Sequence, residues 1–276
     1  MPIKFDWKQV SKFPAPARIA CFITVLSILW LPLAIPLYLL LDDANLTSIV
    51  TMSLLFIEIL FLWKFWGKYV CREDKIFVRY GLEKSDRNIK EFLNGLAIGL
   101  CFCLSLFLVE ALFGWVEIVP TKVEIVRIVI EGLLSAFGIA LAEELVFRGW
   151  LLDELQGDYS QKTSMWSGAI MFALAHFVKP VGEIIRTAVT FPALVLLGIS
   201  LILAKKRYGD RLGICIGIHG GLVWGYYIVN VGELIKYSDR VPVWVTGIDN
   251  NPIAGIMGLM FLTALMFSIK QETKIL

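Results

Sequence analysis

Apolar residues along this chain fall into long runs broken by short polar segments. About 20 consecutive apolar residues cross a bilayer core. Segments of that kind lie at 17–41, 46–69, 92–117, 124–154, 163–178, 186–204, 212–232 and 252–269. The fifth is short by this measure, and the fourth is long enough to project beyond the membrane. The first run begins near Arg18, is followed by acidic residues and lacks a small-residue cleavage pattern. It therefore reads as a spanning helix rather than a removed signal peptide. The expected fold is all-α, a polytopic transmembrane bundle of about eight spans, forming a single membrane domain over residues 1–276.

Composition supports this pattern. Of the 276 residues 58% are hydrophobic and only 18% charged, with a mean hydropathy of +0.73. Soluble domains lie nearer 45–50% apolar and about 25% charged. The longest polar stretch, "CREDKIFVRYGLEKSDRNIKEF", is too short for a soluble domain. It reads as a solvated loop against an anionic leaflet. The five cysteines (Cys21, Cys71, Cys101, Cys103, Cys215) are odd in number and scattered, so neither a disulfide framework nor a metal cluster is expected. In such a chain the placement of Lys and Arg carries more information than their sum. With the N-terminus cytoplasmic, only Lys122, Arg127, Lys179, Arg186, Lys236 and Arg240 of the 26 Lys and Arg fall outside. That asymmetry predicts an even number of spans, both termini cytoplasmic, in what reads as a prokaryotic cell membrane. The lipid bilayer is the expected surrounding partner; the net charge of +2 gives no sign of nucleic acid.

Three ionisable groups interrupt the fourth apolar run, in "IALAEELVFRGWL": Glu143, Glu144 and Arg148. A charge at the centre of a spanning helix costs about 2.5–3.5 kcal/mol on insertion scales, so it points to function. Glu144 and Arg148 are spaced i, i+4 and can pair on one helix face. Glu143 is turned about 100° away from that face. The chain's two histidines, His176 and His219, also lie within apolar segments. Counted from the turn at 155–163, Glu143 and His176 reach similar depth, and His219 enters from the same side. Gly220 and Gly221 allow a close approach beside it.

One glutamate with two imidazoles supports two mechanisms. Glu143 can act as general base on a water held with His176, while His219 donates to the oxyanion formed at a peptide carbonyl. Alternatively Glu143, His176 and His219 can bind zinc, which acidifies the water. The residue types permit either. Cys215, one turn before His219, reads as packing.

These residues match a known pattern. The chain resembles the CPBP group of intramembrane proteases, which includes CAAX prenyl endopeptidases and bacteriocin-processing or self-immunity proteins. The pattern there is E-E-x-x-x-R, then F-x-x-x-H, then a His normally followed four residues later by Asn or Asp. Here "EELVFR" supplies Glu143, Glu144 and Arg148, "FALAH" supplies Phe172 and His176, and "HGGLV" supplies His219. The resemblance covers about 92–232, the expected protease-like core. It implies an endopeptidase without cofactor, Glu143 and His176 activating water, His219 lining the oxyanion hole, and Glu144 and Arg148 holding the geometry. The implied substrate is a membrane-anchored or lipidated peptide.

At the position of the usual Asn or Asp this chain has Val223, which cannot donate a hydrogen bond. The indole N–H of Trp224 or a water is left as a replacement. Val223 favours a rival reading, a non-catalytic scaffold or immunity protein with the same fold. Glu58, mid-span, and Glu110 and Glu131, nearer helix ends, read as protonated or hydrogen-bonded groups between helices; a transporter relying on Glu58 is the third reading.

Overall fold

The computed structural model describes residues 6–270, which form an all-α polytopic bundle with one short two-stranded ribbon among the described residues. Every expected segment is met by a helix. The stretches Ala15–Leu40, Ala44–Cys71, Asp86–Leu112, Ile125–Asp158, Val181–Arg207 and Gly213–Val231 are long and apolar enough to cross a membrane. The other two helices, Gln161–Ala175 and Ile256–Lys270, have 15 residues each. At 1.5 Å per residue they reach about 22 Å, less than a hydrocarbon core of about 30 Å. The last helix starts later than the expected 252 because Pro252–Ala254 forms a separate 3-10 turn.

Contacts divide the chain into two compact units, Met1–Arg79 with Asp153–Tyr159, and Tyr80–Leu152 with Ser160–Leu276. The first contains α1 (Ala15–Leu40) and α2 (Ala44–Trp66). Asp43 starts α2 by accepting the Leu46 N–H at 2.9 Å, satisfying one of the orphan donors of the first turn. Arg18, read from sequence only as a basic residue of the cytoplasmic side, is buried. It donates to the Glu154 carboxylate at 2.6 Å and to the Glu154 carbonyl at 2.9 Å. The Trp66 indole donates to the other Glu154 oxygen at 2.9 Å. A buried carboxylate costs several kcal/mol unless it is paired and hydrogen-bonded, and these partners meet that condition.

The second unit holds α3 (Asp86–Leu112), β1 (Val116–Ile118), α4 (Ile125–Glu144), α5 (Gln161–Ala175), α6 (Val181–Thr187), α7 (Phe191–Arg207), α8 (Gly213–Val231), β2 (Ile235–Tyr237) and α9 (Ile256–Lys270). Helix α3 begins before the expected residue 92 because the Ser85 hydroxyl caps it, accepting the Asn88 N–H at 3.2 Å. It stops before the expected 117 because Gly114, at φ 69°, turns the chain into β1. β1 and β2 pair antiparallel with Val116 opposite Tyr237, Glu117 opposite Lys236 and Ile118 opposite Ile235.

The α3–α8 contact organises this unit. Gly95 and Gly99 of α3 face Gly217 and Gly221 of α8 so closely that an added Cβ would meet the partner's backbone on either side. Lipid offers no hydrophobic drive between helices, so small residues that let backbones approach are the usual adhesive. The sequence reading singled out Gly220 and Gly221; Gly221 makes the close approach, whereas a Cβ at Gly220 would find only ordinary contacts. Helix α8 also packs on α4, and α7 lies between α5 and α9. The interior is filled by Phe172, Leu201, Ala204, Ile214 and Leu265.

Candidate active site

The local helix geometry sets the site. After Glu144, α4 widens into a π-helical stretch, Leu145–Leu151, a rare form found most often at functional positions. Glu144 and Arg148 still pair across one turn, at 2.8 Å, and both are fully buried. The guanidinium also stacks over the Phe172 ring, 4.1 Å from its centroid. Lys205 of α7 donates to the Arg148 carbonyl at 2.6 Å. The charge count puts Lys205 on the cytoplasmic side, and the structure buries it. Nothing in its "AKKR" context distinguishes it from its neighbours.

Each histidine is oriented by one ring nitrogen. His176 Nδ1 lies 2.8 Å from the Phe172 carbonyl. A carbonyl only accepts, so Nδ1 carries the proton and a neutral His176 keeps its Nε2 lone pair for the cavity. His219 Nδ1 lies 2.8 Å from Glu144 Oε1, the oxygen that also accepts from Arg148. Its Nδ1–H therefore donates to the carboxylate, and its Nε2 points away from it.

Both free Nε2 atoms face Glu143. Its Oε2 lies 3.9 Å from His176 Nε2 and 3.9 Å from His219 Nε2. That is beyond a direct hydrogen bond and within reach of a bridging water. Accordingly, Oε2 is buried without a direct partner. Phe172 is the hub of the arrangement, edge-on to His176 at 4.8 Å, to His219 at 6.4 Å and to Phe147 at 5.1 Å between ring centroids. The structure thus brings together Glu143, Glu144, Arg148, Phe172, His176 and His219 from three helices.

Glu143, His176 and His219 open onto a cavity of about 320 Å³, within the range of small-molecule sites. Its other walls are mainly apolar, with Phe102, Leu106, Leu194 and Leu197 among them. Val223 lines it beside His219 and brings no donor. Trp224 does not replace one. Its indole N–H is committed to the Val129 carbonyl at 2.9 Å, which corrects the expectation that it was free to donate. Two polar side chains on the wall had not been singled out, Tyr226 and Asn251. Tyr226 lies seven residues after His219 and so shares its helix face, a signal that was readable. Asn251 comes from a turn in which Gly247, Asp249 and Asn250 all have positive φ. Its Oδ1 accepts the Ile253 N–H at 3.2 Å, and no periodicity ties it to the other motifs.

The remaining candidates do not line this cavity. Cys215 is buried and donates to the Leu201 carbonyl at 3.2 Å, a packing role. Glu131 pairs with Arg127 at 2.7 Å. Glu110 is fully buried with neither carboxyl oxygen hydrogen-bonded, and Glu58 has one such oxygen. No three His, Cys, Asp or Glu side chains among the described residues are arranged to hold a metal ion.

Residues 125–225 match the family model described as Type II CAAX prenyl endopeptidase Rce1-like. The match runs from the start of α4 into α8, so it contains Glu143, Glu144, Arg148, Phe172, His176 and His219, and the resemblance read from the motifs is borne out over this segment. Neither a curated protein nor a solved structure matches the chain.

Proposed function

We propose that this chain is an intramembrane endopeptidase that hydrolyses a peptide bond in a membrane-tethered or prenylated (CAAX-type) protein through a water activated by Glu143. The observation that carries the reading is the placement of one unpartnered Glu143 oxygen 3.9 Å from Nε2 of both histidines. A water between Glu143 and His176 loses a proton to the Glu143 carboxylate as its oxygen attacks the carbonyl carbon. His219, held at Nδ1 by Glu144, presents Nε2 to the developing oxyanion, and it donates there as an imidazolium, with both nitrogens protonated. Glu143 then returns its proton to the amide nitrogen, and the C–N bond breaks to give a carboxylic acid and an amine. Glu144, Arg148 and Phe172 fix the rings without touching the reacting atoms. The mechanism calls on no cofactor.

The mostly apolar cavity walls suit a lipidated peptide entering from the cytoplasmic side or laterally from the bilayer. The proposal includes both termini in the cytoplasm, on the distribution of Lys and Arg, and a prokaryotic cell membrane as the setting.

Cleavage of a farnesylated reporter peptide by the purified chain in proteoliposomes tests this, with metal content measured on the same sample. General acid–base groups contribute about 10²–10⁴-fold, so Glu143→Gln is expected to lose at least the lower figure. Unchanged cleavage in Glu143→Gln overturns the reading. Stoichiometric metal in the active enzyme replaces the metal-free mechanism by the zinc one.

The reading from another class is a non-catalytic scaffold or immunity protein, favoured by Val223 together with the commitment of the Trp224 indole to Val129. Val223→Asn separates the two. A gain in cleavage supports a slow enzyme lacking one donor, and no cleavage from either folded protein supports the scaffold.

A further inference from the structure

A second hollow lies in the first unit, remote in sequence from all the motifs. Helix α2 is 23 residues long, about 34 Å at 1.5 Å per residue, so it crosses a hydrocarbon core of about 30 Å and its last turn reaches a membrane face. The chain continues as a π-helical turn, Gly67–Cys71, and reverses at Arg72, whose φ of 57° is left-handed. The Glu73 N–H closes the reversal on the Gly67 carbonyl at 2.8 Å. The strand of chain that follows therefore folds back beside the helix end. This sets Lys75 across from Lys64 and Lys68, which are spaced i, i+4.

The three lysines line a hollow of about 370 Å³ whose only acidic lining residue is Asp74. None of their ammonium groups has an ion-pair partner among the described residues. Like charges four apart on a helix repel, and Asp74 is the single acid on the wall against three lysines. Glu73 is not on this wall; its carboxylate accepts the Lys75 backbone N–H at 2.9 Å. Ile76 and Phe77 also line the hollow, and the Phe77 ring stands edge-on to buried Trp63 at 6.4 Å.

The depth of the hollow is marked independently by aromatic rings. Phe65 is edge-on to Trp7 at 5.1 Å and tilted against Tyr69 at 4.7 Å. Trp and Tyr gather where hydrocarbon gives way to headgroups. Exposed Val78 lines the hollow, and the exposed Tyr69 ring lies under the Lys68 ammonium, 5.4 Å from its centroid, so apolar surface stands next to the ammonium groups. That combination fits a ligand with an anionic phosphate and an apolar body.

We infer that Lys64, Lys68 and Lys75 form a binding site for the phosphate headgroup of an anionic phospholipid. It shares no residue with the candidate active site and does not depend on the protease reading. The experiment uses the full purified chain and native mass spectrometry, titrating phosphatidylglycerol against phosphatidylcholine. A repeat in inorganic phosphate without lipid follows. A juxtamembrane lysine contributes about 1 kcal/mol of attraction to anionic lipid, about five-fold in affinity each. Phosphatidylglycerol is expected to bind well above phosphatidylcholine, and Lys64→Gln, Lys68→Gln and Lys75→Gln singly to lose about five-fold each. The double variant Lys84→Gln/Lys90→Gln, which removes more charge than any of the single variants but elsewhere, is expected to keep binding. Equal loss in that control, or equal binding of both lipids, overturns the site. Inorganic phosphate binding as tightly without lipid overturns the lipid as its occupant. The Lys→Arg triple variant keeps the charge and is expected to bind, so lost binding in a Gln variant that fails to fold is not mistaken for support.

Discussion

Gly217→Ala is the sharpest test of the architecture, because its cost can be worked from the geometry. A Cβ at this position would lie 2.7 Å from the Leu96 nitrogen and 2.9 Å from the Gly95 carbonyl carbon, with the Phe92 carbonyl oxygen closer still. Ordinary contact begins near 3.4 Å, so the facing backbones must part by about 0.7 Å or more. None of these atoms is the end of a side chain that could swing aside. Overpacking of this kind typically costs about 1–3 kcal/mol. The upper part of that range is expected, since separation also loosens Gly95 and Gly221 on the same seam. At about 2–4 °C per kcal/mol for a chain of this size, the melting temperature in detergent should fall by roughly 5–10 °C. The control is Gly138→Ala on α4, where an added Cβ meets nothing within 4 Å. There the helix preference for alanine, up to about 1 kcal/mol, predicts no loss or a small gain. His219 lies two residues from Gly217, so proteolytic turnover should fall with the first variant and not with the second. A wild-type melt for Gly217→Ala would refute backbone-to-backbone packing. Equal losses in both variants would mean that helix glycines matter here for flexibility instead.

Three further outcomes are expected. Replacing Arg148 by Ala leaves the Glu144 carboxylate buried without its cation, a change that typically costs about 3–5 kcal/mol; Lys should rescue poorly, because it cannot stack flat on Phe172, and thermal melts in detergent check both. Asn251→Ala removes the side-chain oxygen that caps the Pro252–Ala254 turn by accepting the Ile253 N–H, and loss of such a cap, about 0.5–2 kcal/mol, should appear as a lower melting temperature in detergent. Burial pushes the Tyr237 hydroxyl above its ordinary value, and the hydroxyl is buried without a partner. The neutral phenol thus contributes fully below the unfolded value of about 10, and that contribution is lost as the pH rises toward the raised folded value. Tyr237→Phe should flatten the alkaline decline in stability without lowering stability at neutral pH, as read from melts across pH 8–11.

The helices were legible because lipid makes the problem local. A backbone in hydrocarbon must satisfy its own hydrogen bonds, so each long apolar run has essentially one available structure. Placement of Glu143, Glu144 and Arg148 within such a run, and of His176 and His219 in two others, was equally legible, since isolated ionisable groups stand out against Leu, Ile and Phe. The i, i+4 rule anticipated the Glu144–Arg148 pair for the same local reason.

What the sequence alone left open depends on which helix faces which, and that is decided by packing at long range. Gly95 and Gly99 meet Gly217 and Gly221 across more than a hundred residues, and only the fitted backbones show which glycines matter. The pairing of β1 with β2 rests on three residues each, too few to leave a pattern. Trp224 points at Val129 rather than into the cavity, and Asn251 reaches the cavity from a turn remote from every motif. The chain's composition and spacing determined that it is a helical membrane protein and which residues bear charge within it. Tertiary structure decided that Glu143 stands between two imidazoles, because convergence of three helices is a property of their packed faces and not of any one segment.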